Sequence, residues 1–136
     1  MRLLVSPLLK RNGPLDELAF IETGVNDDMV VELVDIFLKK PSLVPKKLEI
    51  AACEFGLIGC QALAQLLKIP SCKMEGLSIP DNYIEDDGAA CLADALVGNN
   101  ALQELSLQGN RLTVTGWKAF ARSQGKCYVR REHERY

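Results

Sequence analysis

One pattern returns along the chain every 28 to 30 residues, and it limits the possible folds more than any other feature. Its clearest copy is Leu102-x-x-Leu105-x-Leu107-x-x-Asn110-x-Leu112-x-x-x-Gly116-x-x-x-Phe120. A step back of 28 residues gives Met74, Leu77, Ile79, Asn82, Ile84, Gly88 and Leu92. A further 29 gives Pro45, Leu48, Ile50, Cys53, Phe55, Gly59 and Leu63, and a further 30 gives Leu15, Leu18, Phe20, Thr23, Val25, Met29 and Leu33. Self-similarity at such a period marks stacked supersecondary units, each unable to bury its apolar face alone.

Each unit has a physical reading. The Leu-x-Leu centre alternates with period two, as a half-buried strand does. The polar residue after it (Asn110, Asn82, Cys53, Thr23) can hydrogen-bond backbone groups in a tight turn. Gly116, Gly88 and Gly59 then open a segment with helical spacing, seen in the steps of four Gly59, Leu63, Leu67 and Gly88, Leu92, Leu96. Ala64, Ala93 and Ala121 are small enough for neighbouring helices to stack closely. Strand, turn and helix in succession predict an α/β solenoid, a parallel sheet on the concave side and helices on the convex side. Strands are expected near Glu17–Ile21, Lys47–Ala51, 76–80 and 104–108.

The units resemble leucine-rich repeats, specifically the long ribonuclease-inhibitor-like type, which alternates Asn and Cys at the turn position as Asn110, Asn82 and Cys53 do. The stretch from Gly116 to Phe120 is also similar to repeats of large intracellular receptor-type and protist proteins. The resemblance covers residues 15–124 and implies a protein-interaction module; fold alone does not fix function. The first unit departs most, with Thr23 and Met29 in place of Asn and Gly.

The expected organisation is an N-terminal capping segment over 1–14, a leucine-rich-repeat domain of about four repeats over 15–125, and a basic C-terminal tail over 126–136. Ser6-Pro7 is a helix-start signal, so 6–11 is read as a short capping helix ended by Asn12-Gly13-Pro14. Cys127-Tyr128-Val129 would suit a short final strand.

Composition narrows the function classes. Lys and Arg number 16 against 18 Asp and Glu, a net charge of −2, which argues against a strongly basic nucleic-acid binder. No apolar run approaches the length of a membrane span. Pro7 interrupts the apolar start and no small-residue cleavage site follows, so no secretory signal is read there. The early bases Arg2, Lys10 and Arg11 leave organelle import open. The five cysteines, Cys53, Cys60, Cys72, Cys91 and Cys127, form no C-x-x-C pair and are read as reduced structural thiols of a cytoplasmic protein. Cys127 is expected to be the most exposed.

No catalytic, cofactor or metal site is read from the sequence. The single histidine, His133, lies in the charged tail, away from the rigid support a catalytic group needs. Acids cluster at Asp27-Asp28, at Asp81 and at Glu85-Asp86-Asp87, and the last three immediately precede Gly88 at a helix start, where the helix dipole favours negative charge. They lack the alternating oxygen ligands of a calcium loop.

Strand alternation assigns the concave face. It predicts Glu17, Ala19, Ile21 and Glu22 in the first unit, and Lys47, Glu49, Ala51 and Ala52 in the second. It predicts Gly76, Ser78, Pro80 and Asp81 in the third, and Glu104, Ser106, Gln108 and Gly109 in the fourth. Glu17, Glu22, Glu49, Asp81 and Glu104 face a single Lys47, and Ile21, Ala51 and Pro80 should form an apolar row. Such a strip suits a basic amphipathic helix or loop of a protein partner. A rival reading is a regulator of an enzyme, either an inhibitor or a small-GTPase activator.

The C-terminal end is the second candidate surface. Residues 111–136 carry a net +5 and residues 1–110 a net −7. Trp117 corresponds to Val30, Cys60 and Ala89, and is read either as a larger plug for the open core or as an interface anchor. With Leu112, Phe120 and Tyr128 it could meet a second copy or another subunit, pairing Arg122, Arg130 and Arg131 with Asp86 or Asp87. Alternatively, 126–136 folds back and covers that end.

Overall fold

The computed structural model describes residues 15–123 and 127–131, with side chains for 15–121 and 127–131. The capping helix expected over 6–11, His133 and the end of the tail lie outside the described residues.

The strands are β1 (Glu17–Ile21), β2 (Lys47–Ala51), β3 (Gly76–Ser78), β4 (Glu104–Ser106) and β5 (Tyr128–Arg130). They form one parallel sheet in sequence order, with Leu18, Leu48, Leu77, Leu105 and Val129 in register. The helices are α1 (Asp27–Lys39), α2 (Leu57–Lys68), α3 (Asp86–Val97) and the short α4 (Val114–Ala119). A 3-10 turn, Pro41–Leu43, follows α1, and another, Phe120–Ser123, follows α4. The final strand, expected one residue earlier, is there and continues the sheet beyond the fourth repeat.

β3 and β4 end two residues before their expected ends. The chain turns away at Asp81 (φ 57°) and Gly109 (φ 76°), as it does at Glu22 (φ 55°) and Ala52 (φ 52°), a left-handed residue at the same place in each unit, with Gly24 (φ 71°) a second in the first. Sheet-like hydrogen bonding persists into these turns, with Ile79 N–H donating to the Ser106 carbonyl at 2.9 Å and Asp81 N–H to the Gln108 carbonyl at 3.0 Å.

The core is a continuous apolar layer between sheet and helices, running from Phe20 and Val25 through Phe55, Leu77 and Ile84 to Leu107 and Phe120. Ala64 and Ala93 are buried as expected of small residues where helices stack. Ala121 is exposed instead, because among the described residues no helix follows α4 to cover it.

Two polar devices tie unit to unit. The first is the turn residue. The Asn82 side chain accepts the Cys53 N–H at 3.1 Å and donates to the carbonyls of Ile50, Ile79 and Pro80. Asn110 does the same one unit on, accepting from Asn82 N–H and Ile84 N–H and donating to the Ile79 and Leu107 carbonyls. These bonds satisfy backbone groups that the turns would otherwise bury unpaired. Cys53 keeps a weaker version, its thiol 3.3 Å from the Ala51 carbonyl.

The second device is a carboxylate from one helix start that caps the next. Asp27 accepts from Gly56 N–H at 3.0 Å and Gly59 N–H at 2.6 Å, at the start of α2. Asp86 accepts from Thr113 N–H at 2.8 Å and from the Thr113 hydroxyl, at the start of α4. The sequence reading places Asp86 at the dipole of its own helix; Asp27 and Asp86 each cap the neighbouring helix as well.

All five cysteines are free thiols. Cys127 overturns its expectation. It is buried, because β5 joins the sheet and sets the preceding side chain into the core, and Cys91 on α3 is the half-exposed thiol. Burial pushes the Cys127 thiol up to about 11 and raises that of Cys72. No helix among the described residues is long and apolar enough to cross a membrane.

Candidate functional site on the concave strand face

Because alternate side chains of a strand leave on opposite faces, the Leu rows enter the core and the residues between them meet on the other side. A groove of about 470 Å³ lies across that face, open to solvent and lined by β1 to β4. Of the residues predicted for this face, Glu17, Ala19, Lys47, Glu49, Gly76, Ser78, Glu104 and Ser106 come together along it. Ser106 forms floor rather than contact surface, being buried, with its hydroxyl 3.5 Å from the Glu104 carboxylate.

The others are not part of this groove. Ile21 and Ala51 end β1 and β2 and pair with each other outside the groove's lining, whereas Pro80, Asp81 and Gln108 fall where the chain has left β3 and β4. Ala51 and Pro80 are buried while Ile21 is 53% exposed, so the expected apolar row is interrupted. The reason is size: a small side chain between parallel neighbours is covered by them, and only the end residue protrudes. Asp81 lies so close over Gly109 that a side chain there would collide with its carboxylate. The carboxamide oxygen of Gln108 is buried with no hydrogen-bond partner among the described residues. Trp117 is half-buried at the end of the stack, its ring 6.5 Å from that of Phe120 and 5.9 Å from the Arg131 guanidinium.

Lys47 lies across the groove, close against Gly76, where an added methyl would sit 3.3 Å from its Cγ. Its ammonium is 4.0 Å from the Glu17 carboxylate. A second base was missed by the sequence reading: Arg130 of β5 reaches the Glu104 carboxylate at 3.4 Å and lies over the Tyr128 ring. Glu75 and Gln103 also line the groove and were missed. They lie in the segments leading into β3 and β4, where strand alternation carries no information. With Glu17, Glu49, Glu75 and Glu104 against Lys47 the groove is acidic, and Arg130, outside its lining, offsets part of the Glu104 charge. Among the described residues no cluster of His, Cys, Asp or Glu is arranged to hold a metal ion.

Comparison with known proteins agrees with this geometry. Over 110 residues, 80% of the chain, it is 31% identical to mouse NACHT, LRR and PYD domains-containing protein 4C. Over 123 residues, 90% of the chain, it is 28% identical to mouse Ribonuclease inhibitor. The chain is a leucine-rich-repeat protein of the ribonuclease-inhibitor-like type. Mouse Protein NLRC5 is 27% identical over 115 residues, 85% of the chain. These repeat proteins are much longer: the matched stretches are 11%, 26% and 6% of their respective lengths. No family model matches the chain. Leucine-rich-repeat relatives of this kind mark a protein-interaction module.

Proposed function

We propose that this leucine-rich-repeat stack is a non-enzymatic scaffold module that binds a protein partner in the groove of its concave face. The carrying observation is the convergence of side chains from four successive units on one open, acidic channel. The partner segment that fits it is a basic, amphipathic helix or loop whose cations meet Glu49 and Glu75. Its binding weakens with salt, because exposed charges are screened. The five free thiols support a reducing compartment such as the cytoplasm.

A second reading, control of a partner enzyme by inhibition, is supported by the likeness to mouse Ribonuclease inhibitor, of which the matched region is 26%. The two readings part on whether a bound partner loses activity.

The test is affinity purification from the native source with three versions of the chain: wild type, Ser78→Arg in the groove, and Gln61→Arg on the exposed face of α2. A partner retained by wild type and Gln61→Arg but lost by Ser78→Arg supports the reading. A partner that tolerates Ser78→Arg contradicts it.

A further inference from the structure

The two ends of the stack carry opposite charge, which concave-face binding leaves unexplained. Residues 15–38, holding β1 and nearly all of α1, contain seven carboxylates and no lysine or arginine. Residues 111–131, holding α4 and β5, contain six bases and no acid. Several of these charges are engaged inside the molecule: Asp27 caps α2, Asp35 pairs with Lys39 at 2.9 Å, Arg111 lies over Tyr83 and Arg130 meets Glu104. Asp16, Glu22 and Asp28 at one end, and Lys118 and Arg131 at the other, are exposed.

The sheet has the same polarity at both ends. Among the described residues β1 and β5 are its two edges, all strands are parallel, and the central leucine row keeps one register across four pairings. Leu48, Leu77 and Leu105 in that row are buried, whereas its end members, Leu18 and Val129, are only partly covered.

We propose that the chain associates head to tail with further copies of itself, β1 of one copy adding beside β5 of the next. The row of apolar side chains then continues from Val129 to Leu18 of the neighbour, and Lys118 and Arg131 face the acidic first unit. Asp86, one of the two acids expected from sequence to receive Arg131, is already held by Thr113. Because one surface meets a different one, the contact does not close at two copies. The proposal is independent of the groove reading, since edge addition leaves the concave face open.

Sedimentation velocity of the full chain over a concentration series tests it. In dilute buffer, where the Debye length is about 30 Å, the average mass is expected to climb past two protomers. In about 1 M salt, where it is about 3 Å, the mass should fall back toward the 15.0 kDa monomer. Asp16→Lys with Glu22→Lys, and separately Lys118→Glu with Arg131→Glu, should each leave a monomer; mixing the two should restore association. Wild type that is monomeric at all concentrations overturns the proposal. A salt-insensitive species that stops at two copies overturns it too. The wild-type behaviour decides if a variant loses its circular dichroism.

Discussion

The side chain of Asn82 holds the backbone N–H of Cys53, 29 residues earlier, at 3.1 Å in the buried interior. The same carboxamide bonds three carbonyls, two of them in its own turn and one in the preceding unit. Asn82→Ala therefore orphans several buried groups at once. Each such group costs about 1–3 kcal/mol, so a loss of roughly 3 kcal/mol or more in urea unfolding is expected. Asn110, half-buried, should cost less. Equal, sub-kilocalorie losses at both would contradict the role given to the turn residue.

Ala52 occupies left-handed backbone at φ 52°, while its counterpart in the fourth unit is Gly109. A Cβ in that conformation costs about 1–2 kcal/mol. Ala52→Gly should raise stability by about 0.5 kcal/mol after the entropy of the freer unfolded chain is counted. Gly109→Ala should lower it by about 1 kcal/mol or more. Denaturation midpoints that move the other way would sink this reading of the turns.

The Thr113 hydroxyl and backbone, hydrogen-bonded to Asp86, hold its carboxyl below the usual 3.8. A depressed carboxyl contributes stability that is present above its unfolded pKa and lost as pH falls through its folded value. Wild type should lose stability on acidification below 3.8 more steeply than Asp86→Asn. Thr113→Ala, which also removes the N-cap of α4, should cost about 1 kcal/mol at neutral pH. Parallel pH profiles for wild type and Asp86→Asn would contradict the assignment.

Thiol labelling separates the cysteines by burial. In the native protein Cys91 should react first with a maleimide, and Cys127, buried with its thiol raised to about 11, far more slowly. All five should label after denaturation. Peptide mapping that finds Cys127 modified first would overturn the placement of β5.

Much of the fold was legible in the residues because a repeat states its rule several times. Four copies of Leu-x-Leu fixed the strands, and Asn110 with Asn82 fixed the turns. What escaped were features made by long-range context. Cys127 has no repeat partner to reveal its burial, and the pairing of Arg130 with Glu104 depends on β5 docking beside β4. Asp86 could be placed at a helix start from sequence, but its service to the next helix, like that of Asp27, depends on the distance between units. At the groove, alternation found Glu17, Glu49, Ser78 and Glu104. It missed Glu75 and Gln103 because they precede the strands, and it overrated Ala51 and Pro80 because burial depends on neighbours across the sheet.

The central claim, that a partner lies in the groove of the concave face, is tested most directly by site-specific photocrosslinking. A photoreactive residue at Ala19, exposed in the groove between Glu17 and Glu49, is compared with one at Gln61, exposed on α2. Both are put into otherwise unaltered chain and irradiated with the purified partner. The account predicts a covalent adduct from position 19 and none from position 61. An adduct from position 61 with none from position 19 would place the partner on the helices and contradict it.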